Sequence, residues 1–265
     1  MTEIPACTSS QSIPRSNARP WRLEVHDTLG STSDTCKAML DAGQGEDGLA
    51  ILALSQTAGR GSRGRQWADP GGNLALSVML VGQGADVPVG LWPFIAGLAL
   101  HDAMVAFLPD PDALQLKWPN DLLLSGRKMA GILIETGTRA TGERWQVIGM
   151  GANLRHAPAI EGRELACLAD ATARVPDAVT VARGVLHHLD HWLACHAAMG
   201  FGAVRDAWLE RGHPVGTGVN VKAGNQQFTG TFAGLADDGT LLLHTPNGTR
   251  HVVTGEVLLA RTGRE

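Results

Sequence analysis

The sequence predicts an α+β protein: a mostly antiparallel sheet with helices on one side, followed by a small antiparallel β-barrel. Three observations support this class. Short alternating or continuously apolar runs, which are typical of strands, fill much of residues 21–151. Longer apolar stretches at residues 88–107, 180–196 and 201–212 have the length of helices. From residue 215 onwards, short strands recur between glycine-rich turns, as in a small barrel.

Composition excludes several classes of protein. The 265 residues suffice for a sizeable core, and the apolar fraction of 44% is ordinary for a globular protein. A net charge of −4 gives the whole chain no attraction to nucleic acid or an anionic membrane, so any basic site must be local. No apolar run approaches the roughly 20 residues of a transmembrane helix, and no signal peptide is recognisable. Four scattered cysteines without a CxxC pair favour a reduced, cytoplasmic protein.

The first elements are predicted as a tail, a strand and a helix. Residues 1–20 are polar and are expected to be disordered, and residues 21–25 alternate as a strand does. Ser31 then begins a helix that continues to about residue 42. Asp34 follows three residues later, close to the capping-box pattern, so Ser31 has a structural explanation. Because a helix N-terminus also attracts anions, capping does not exclude ligand contact.

A loop in which glycine alternates with arginine connects the next two strands. It has the sequence GRGSRGRQW, at residues 59–67, between strands predicted at 49–54 and 73–81. Its glycines allow sharp bends, and Arg60, Arg63 and Arg65 bring three guanidinium groups together, as phosphate binding requires. The alternative is a solvated basic segment that contacts nucleic acid without specificity. Because the loop is short and is fixed at both ends by a sheet, a phosphate-binding site is favoured over a solvated segment.

Two strands with a tight turn between them are predicted at residues 114–118 and 121–124, followed by strands at 128–135 and 144–151. Asn120 lies in the turn, where asparagine is common, so a structural role is expected for it. Lys117 differs because it lies among apolar residues and needs an anionic partner, either a ligand or a structural carboxylate. Lys128, at the start of a returning strand, is expected to be solvated like most charges at turns.

Potential metal ligands recur at helical spacing as His187, His191 and Cys195. The apolar residues of the same helix occupy a different arc, which places this stripe toward solvent. The sequence therefore predicts no metal site. It also contains no Walker-type motif and no signature of a serine or cysteine nucleophile. The residues alone predict an enzyme-like domain with a cationic loop and with one lysine, Lys117, placed near the end of a strand.

Taken together, these motifs resemble those of the biotin–protein ligase family, in a short form without a DNA-binding domain. The similarity runs from about Trp21 to the C-terminal barrel, and the motifs GRGxxGRxW and KWPND carry it. It implies a catalytic domain like that of class II aminoacyl-tRNA synthetases at residues 21–212, and an SH3-like barrel at 213–265. It also implies an ATP-dependent ligase that forms biotinyl-5′-AMP and transfers biotin to a lysine of a biotin carboxyl carrier protein, from acetyl-CoA carboxylase or a related carboxylase.

The resemblance also implies roles for individual residues. Lys117 and Arg60 are expected to be catalytic, with Lys117 bridging the biotin carboxylate and the α-phosphate. The residues expected to bind biotin are Ser31, Thr32, Ser33, Gln56, Gly59, Arg60, Gly61, Ser62, Lys117, Gly131, Gly149 and Gly151. Those expected to bind the adenylate or phosphates are Arg60, Arg63, Arg65, Lys117, Asn120, Lys128 and Asn153. Two positions depart from the family pattern: Ser33, where asparagine is usual, and Ser62, where arginine is usual.

The implied substrates are biotin and ATP, with Mg²⁺ accompanying ATP, and the implied partner is the carrier protein. The protein is expected to bind neither a specific DNA sequence nor a membrane, and to be a monomer or a homodimer. Three alternatives remain. A lipoate- or octanoate-transferring relative would lack the GRGxxGRxW loop, and a non-catalytic biotin or adenylate sensor would not need both Arg60 and Lys117. A transcription factor would need a recognition element that the short tail does not offer.

Overall fold

The computed structural model describes residues 7–16, 20–82 and 86–259, which form an eight-stranded sheet and then a five-stranded antiparallel sheet. The elements, in chain order, are β1 (Ser9–Ile13), β2 (Trp21–His26), α1 (Thr32–Asp41), β3 (Leu49–Ala53), β4 (Leu74–Val81), α2 (Trp92–Val105), β5 (Leu114–Lys117), β6 (Asp121–Leu124), β7 (Arg127–Thr138), β8 (Arg144–Ala152), α3 (Ala178–Met199), α4 (Phe201–Arg211), β9 (Gly218–Ala223), β10 (Gln226–Leu235), β11 (Leu241–Thr245), β12 (Gly248–Val252) and β13 (Glu256–Leu259). The predicted α+β class is confirmed.

The larger sheet has the strand order β1-β2-β3-β4-β8-β7-β6-β5. Its strands β2 and β3 are parallel, and the other neighbouring strands described are antiparallel, so the sheet is mixed. A parallel pair cannot be joined by a tight turn and needs a crossover, which α1 provides. This crossover places the N-terminus of α1 beside the loop that follows β3, because Leu29 pairs with Gln56.

Helices cover both faces of this sheet, whereas the sequence predicted them on one side. Ala50 and Leu52 of β3 belong to the core that contains α2 and α3, and the intervening Ile51 belongs to a second core with Cys36 and Leu40 of α1. All five residues of β3 are buried. A strand covered on both faces is a continuous apolar run rather than an alternating one. The prediction was wrong because that run does not reveal which helix covers which face.

The predicted N-terminal tail is wrong over Ser9–Ile13, which form β1 and pair antiparallel with β2 at the sheet edge. Its sequence, SSQSI, gives no strand signal, since Ile13 is its one apolar residue and packs partly buried against the core. Backbone pairing with β2 therefore determines this strand more than side-chain burial does. Residues 1–6 and 17–19 of the predicted tail lie outside the described residues.

The five-stranded sheet has the order β12-β11-β10-β9-β13 and shares its core with the larger unit. Trp118, after β5, is buried and donates a hydrogen bond from Nε1 to the carbonyl oxygen of Gly239, at 3.1 Å. A second hydrogen bond, from Lys117 Nζ to the carbonyl oxygen of Val257 at 3.1 Å, brings the start of β13 beside the turn between β5 and β6. Among the described helices, none combines the length and the apolar character that crossing a membrane requires.

Candidate active site

A cleft of about 480 Å³ lies between the N-terminus of α1, the arginine loop and strands β4, β7 and β8. We call it the main cleft. It brings together twelve of the predicted site residues: Ser31, Thr32, Ser33, Gln56, Arg60, Gly61, Ser62, Asn120, Lys128, Gly131, Gly149 and Gly151. Residues that the sequence did not single out complete the lining: Trp67, Ala75, Leu76, Ile132, Leu133 and Met150. The cleft thus has an apolar floor and a polar rim.

Hydroxyl groups form one end of the main cleft. Ser77 is fully buried, and its Oγ lies 2.8 Å from Thr32 Oγ1 and 3.0 Å from Ser33 Oγ. Gln56 Oε1 accepts from the backbone N–H of Thr32 at 2.8 Å. A methyl group at Gly149 would lie 2.8 Å from Ser33 Oγ, so a residue without Cβ lets α1 approach β8. This end offers several donors and acceptors to a small polar group.

The predicted cap at the start of α1 is confirmed, because Ser31 Oγ accepts from the backbone N–H of Asp34 at 3.4 Å. The helix ends at Asp41, and Gly43 follows it with φ +73°. Capping therefore explains Ser31, while the same residue also lines the main cleft. Thr32 and Ser33 are buried in the first turn, so their hydroxyls are positioned by the helix itself.

Trp67 borders both the main cleft and a second cleft of about 490 Å³. Its indole packs against β8 so closely that a methyl group at Gly151 would lie 2.7 Å from Trp67 Cε2. Its Nε1 is buried and has no hydrogen-bond partner among the described residues. The second cleft is lined by Gly61, Ser62, Arg65, Gln66, Trp67, Ala68, Lys128, Asn153, Pro158, Ile160, Arg163 and Leu165. A ligand in two parts can therefore span both clefts beside Trp67.

Lys128, rather than Lys117, is the lysine that lines the two clefts. Both lysines pair with Asp121: Lys128 contacts Oδ1, and Lys117 Nζ lies 3.1 Å from Oδ2. Lys117 Nζ also donates to the carbonyl oxygen of Val257 at 3.1 Å. Burial opposes ionisation of Asp121, but the charges of Lys128 and Lys117 outweigh it and lower the pKa of this carboxyl.

The structure therefore does not bring Lys117 to the predicted biotin site. Leu114 and Leu116 of β5 face the core, so the alternation of the strand turns Lys117 away from it, toward β13. Lys117 lines a third cleft of about 630 Å³, between the arginine loop and the C-terminal sheet. Asn120 has its predicted structural role, since its Nδ2 donates to the carbonyl oxygen of Ile132 at 2.6 Å.

The three loop arginines do not all converge, because Arg60 is directed to a different carboxylate from Arg63 and Arg65. Arg60 stays at the rim of the main cleft, where its Nη2 pairs with Glu135 and lies 3.1 Å from Asp34 Oδ1. Arg63 and Arg65 both pair with Glu256 of β13, each at 3.2 Å. Each of these cations thus has a carboxylate partner, which an anionic ligand must replace.

Glu256 holds part of the loop in an uncommon conformation. Burial favours its neutral form, but hydrogen bonding and charge from Arg65, with the charge of Arg63, lower the pKa of its carboxyl. Arg63 has φ +60°, in the left-handed region that costs a non-glycine residue roughly 1 kcal/mol. Of the other predicted residues, Asn153 lines the second cleft, and Gly59 lines neither cleft but accepts from the backbone N–H of Trp67 at 2.9 Å.

Three residues at the site were missed. Ser77 could have been recognised as a polar residue inside the apolar strand LALSVMLV. Trp67 ends the arginine motif and could have been included with it. Glu256 offered no signal, because its partners lie more than 190 residues earlier in the chain. The predicted solvent-facing stripe on α3 is confirmed for His187 and His191, which are exposed, whereas Cys195 is half-buried and packs against the core.

The fold and the paired clefts define a ligase-type catalytic unit with a C-terminal β unit. Residues 26–153 match the sequence profile of the biotin/lipoate A/B protein ligase family, and residues 215–259 match that of the biotin protein ligase C-terminal domain. A biotin–[acetyl-CoA-carboxylase] ligase of Paracoccus denitrificans is 35% identical over 246 residues, which cover 86% of this chain and 98% of the relative. The chain belongs to the biotin protein ligase family.

Further similarities agree with this assignment. A biotin–[acetyl-CoA-carboxylase] ligase of Mycobacterium tuberculosis is 32% identical over 252 residues, covering 91% of this chain and 90% of the relative. The solved structure of the biotin protein ligase from Aquifex aeolicus in complex with biotin and ATP superposes with a TM-score of 0.77 at 26% identity. That match covers 91% of this chain and 99% of the Aquifex chain, so both sheets have counterparts there.

Proposed function

We propose that this chain is an ATP-dependent biotin–protein ligase. It joins the carboxylate of biotin to the α-phosphate of MgATP and releases pyrophosphate, and it then transfers the biotinyl group to a lysine of a biotin carboxyl carrier protein. The observation that carries the proposal is the pair of clefts that meet at Trp67 and Lys128. The relatives' names support biotin as the acid and a carrier of acetyl-CoA carboxylase as the acceptor.

The hydroxyl end of the main cleft is proposed to bind the ureido group of biotin. Thr32 and Ser33 can donate or accept, and Gln56 can reorient its amide toward a ligand. The valeryl chain would then lie over the apolar floor near Ile132 and Leu133, with its carboxylate toward Lys128. Burial of that chain contributes roughly 0.8 kcal/mol for each methylene removed from water.

Adenylation brings two anions together, so charge neutralisation and positioning are its main requirements. Lys128 is proposed to contact both the biotin carboxylate and the α-phosphate, in the role that the family resemblance implied for Lys117. Arg60 would join them from the rim once the phosphate competes with Glu135. Trp67 and Asn153 would contact the adenosine in the second cleft. A carboxylate oxygen attacks the α-phosphorus, and the bond to pyrophosphate breaks.

In the second step, an unprotonated carrier lysine attacks the acyl carbonyl of biotinyl-AMP. The amide bond forms, the mixed-anhydride bond breaks, and AMP leaves as an anion that Lys128 and Arg60 stabilise. Closing the arginine loop would exclude water, which otherwise hydrolyses the anhydride. We also propose that residues 21–212 form the catalytic unit and residues 213–265 the C-terminal unit, and that the protein acts in the cytoplasm.

The test is to incubate the purified chain with biotin, MgATP and a biotin carboxyl carrier domain. We expect the carrier mass to increase by one biotinyl group at a single lysine, with AMP and pyrophosphate released in equal amounts. A carrier with that lysine replaced by arginine is the matched control. Transfer of lipoate or octanoate in preference to biotin would contradict the proposal. So would biotin binding without pyrophosphate release, which is the behaviour of a sensor.

A further inference from the structure

A cluster of potential metal ligands lies at the edge of the larger sheet, among residues that line none of the clefts described above. Cys7, Glu24 and His26 each place one ligand atom within 4.8 Å of the other two. Glu24 and His26 belong to β2, and Cys7 lies just before β1, which pairs with β2. Sequence spacing gave no sign of this group, because β-strand pairing brings Cys7 to residues that lie 17 or more positions later.

His26 is the most informative member of this cluster. Its side chain is buried, with 2% of the residue exposed, and neither ring nitrogen has a hydrogen-bond partner among the described residues. An unsatisfied buried polar group costs roughly 1–3 kcal/mol. The nearest carboxylate oxygen, Glu24 Oε2, is 4.0 Å from His26 Nε2, which is too far for a hydrogen bond. A cation between these side chains would give one nitrogen of the imidazole a partner and use the nearby carboxylate and thiol.

We propose that Cys7, Glu24 and His26 bind a zinc ion. A thiolate, an imidazole and a carboxylate are ligands that Zn²⁺ accepts together, whereas Mg²⁺ and Ca²⁺ prefer oxygen alone. Zinc–ligand bonds of about 2.0–2.3 Å in a tetrahedral site place ligand atoms roughly 3.3–3.8 Å apart. Ligand atoms that now lie up to 4.8 Å apart therefore approach one another by about 1.5 Å at most when the ion binds, which rotation of the more exposed Cys7 and Glu24 side chains allows.

Binding rearranges two existing contacts. Cys7 Sγ donates to the carbonyl oxygen of Ser9 at 2.9 Å, and its proton passes to solvent when the thiolate binds the ion. Glu24 Oε1 lies 3.3 Å from Arg22 Nη2, a partly exposed pair that contributes little. Three protein ligands leave a fourth position for water.

The site would fasten β1 to the sheet. Most of β1 is polar and exposed, and Ile13, at its C-terminal end, is the residue that packs against the core. An ion bound by Cys7 and by two residues of β2 would fix the opposite end of the strand. Zinc is therefore expected to slow opening of β1 without contacting the ligase site.

The experiment uses the full chain freed of metal and titrated with Co²⁺ and then Zn²⁺. Wild type is expected to give a near-ultraviolet thiolate-to-cobalt charge-transfer band at one ion per chain, which zinc abolishes. Cys7→Ser should lose the band and bind zinc at least about a hundredfold more weakly, since even second-shell changes cost 10–100-fold. Cys195→Ser is the matched control. Cys195 Sγ lies 3.6 Å from His191 Nε2, so these two residues are another cysteine–histidine pair to which the added ion could bind.

Glu24→Gln provides a second variant that keeps the buried His26 intact, and it should also weaken zinc binding. Hydrogen exchange at the β1 amides is expected to slow on adding zinc to wild type, and not in Cys7→Ser. A charge-transfer band that survives in Cys7→Ser, or that disappears in Cys195→Ser, would overturn the proposal. Equal zinc affinity of wild type and Cys7→Ser would overturn it as well. These measurements do not depend on ligase activity.

Discussion

Replacing Lys128 with methionine is expected to slow biotinyl-adenylate formation by about a hundredfold. Lys128 borders both clefts, so its loss removes a charged contact at the point where the carboxylate and phosphate are proposed to meet. Such a contact in an enclosed site is worth about 3 kcal/mol in the transition state, or roughly a factor of 100. Lys117→Met is the matched variant, because Lys117 contacts the other oxygen of Asp121 and lines neither cleft.

Each substitution leaves Asp121 with one lysine partner, so this effect on the fold is common to both variants. Because Lys117 lines neither cleft, the rate of Lys117→Met should stay within about fivefold of wild type, which corresponds to a change of about 1 kcal/mol in the transition state. The assay is single-turnover pyrophosphate release at saturating biotin and ATP, with biotin affinity and the free energy of unfolding measured separately. A larger loss in Lys117→Met than in Lys128→Met would refute the reasoning and restore the role that the sequence predicted. Equal losses would assign the effect to Asp121 instead.

Three further outcomes are expected. Burial is the main cause that lowers the pKa of His213 from 6.5 to about 4, so as the pH falls the unfolded chain takes up this proton first. The contribution of His213 to the free energy of unfolding should therefore decrease by about 2–3 kcal/mol from pH 7 to 4, so wild type should lose that much more stability than His213→Gln in urea titrations; parallel curves would contradict this. Gly151→Ala should displace the indole between the clefts and reduce kcat/KM for ATP by roughly tenfold to a hundredfold, whereas wild-type kinetics would exclude a close approach there. Glu256→Gln should raise tryptic cleavage after Arg63 and Arg65 a few-fold, since a partly exposed pair contributes below about 1 kcal/mol, and unchanged cleavage would show that Glu256 does not hold the loop.

Local patterns predicted those parts of the fold that local energetics determine. Ser31 caps α1 because its hydroxyl and the third N–H beyond it are close in sequence. The apolar stretch predicted at residues 88–107 contains α2, and Pro93 falls in the first turn of this helix, where the helix needs no N–H from it. Asn120 was predicted from turn chemistry alone, although its side chain ties the turn after β5 to Ile132 of β7, twelve residues later.

Features that depend on distant parts of the chain could not be predicted in this way. The alternation of β5 shows that Lys117 leaves the core, but its partner at Val257 comes from a separate sheet. The carboxylate of Glu256 likewise meets the arginine loop only after the two sheets pack together. The polar segment β1 forms a strand because it pairs with β2 at the sheet edge, and the sequence of β1 itself does not reveal this partner. Candidate site residues were therefore found more reliably than their partners.

The contacts at the start of β13 bear on how freely the two halves of the chain can be exchanged with those of relatives. Glu256 holds Arg63 and Arg65 through its side chain, whereas Val257 holds Lys117 through its backbone carbonyl. A chimaera with a C-terminal sheet from a relative would keep the Lys117 contact whichever residue occupies position 257, because every residue has a backbone carbonyl. It would keep the arginine contacts only if the donor carries a carboxylate at position 256. The apolar core that the two sheets share sets the general requirement for such a graft, and at this contact one acidic side chain decides whether the arginine loop keeps its partner.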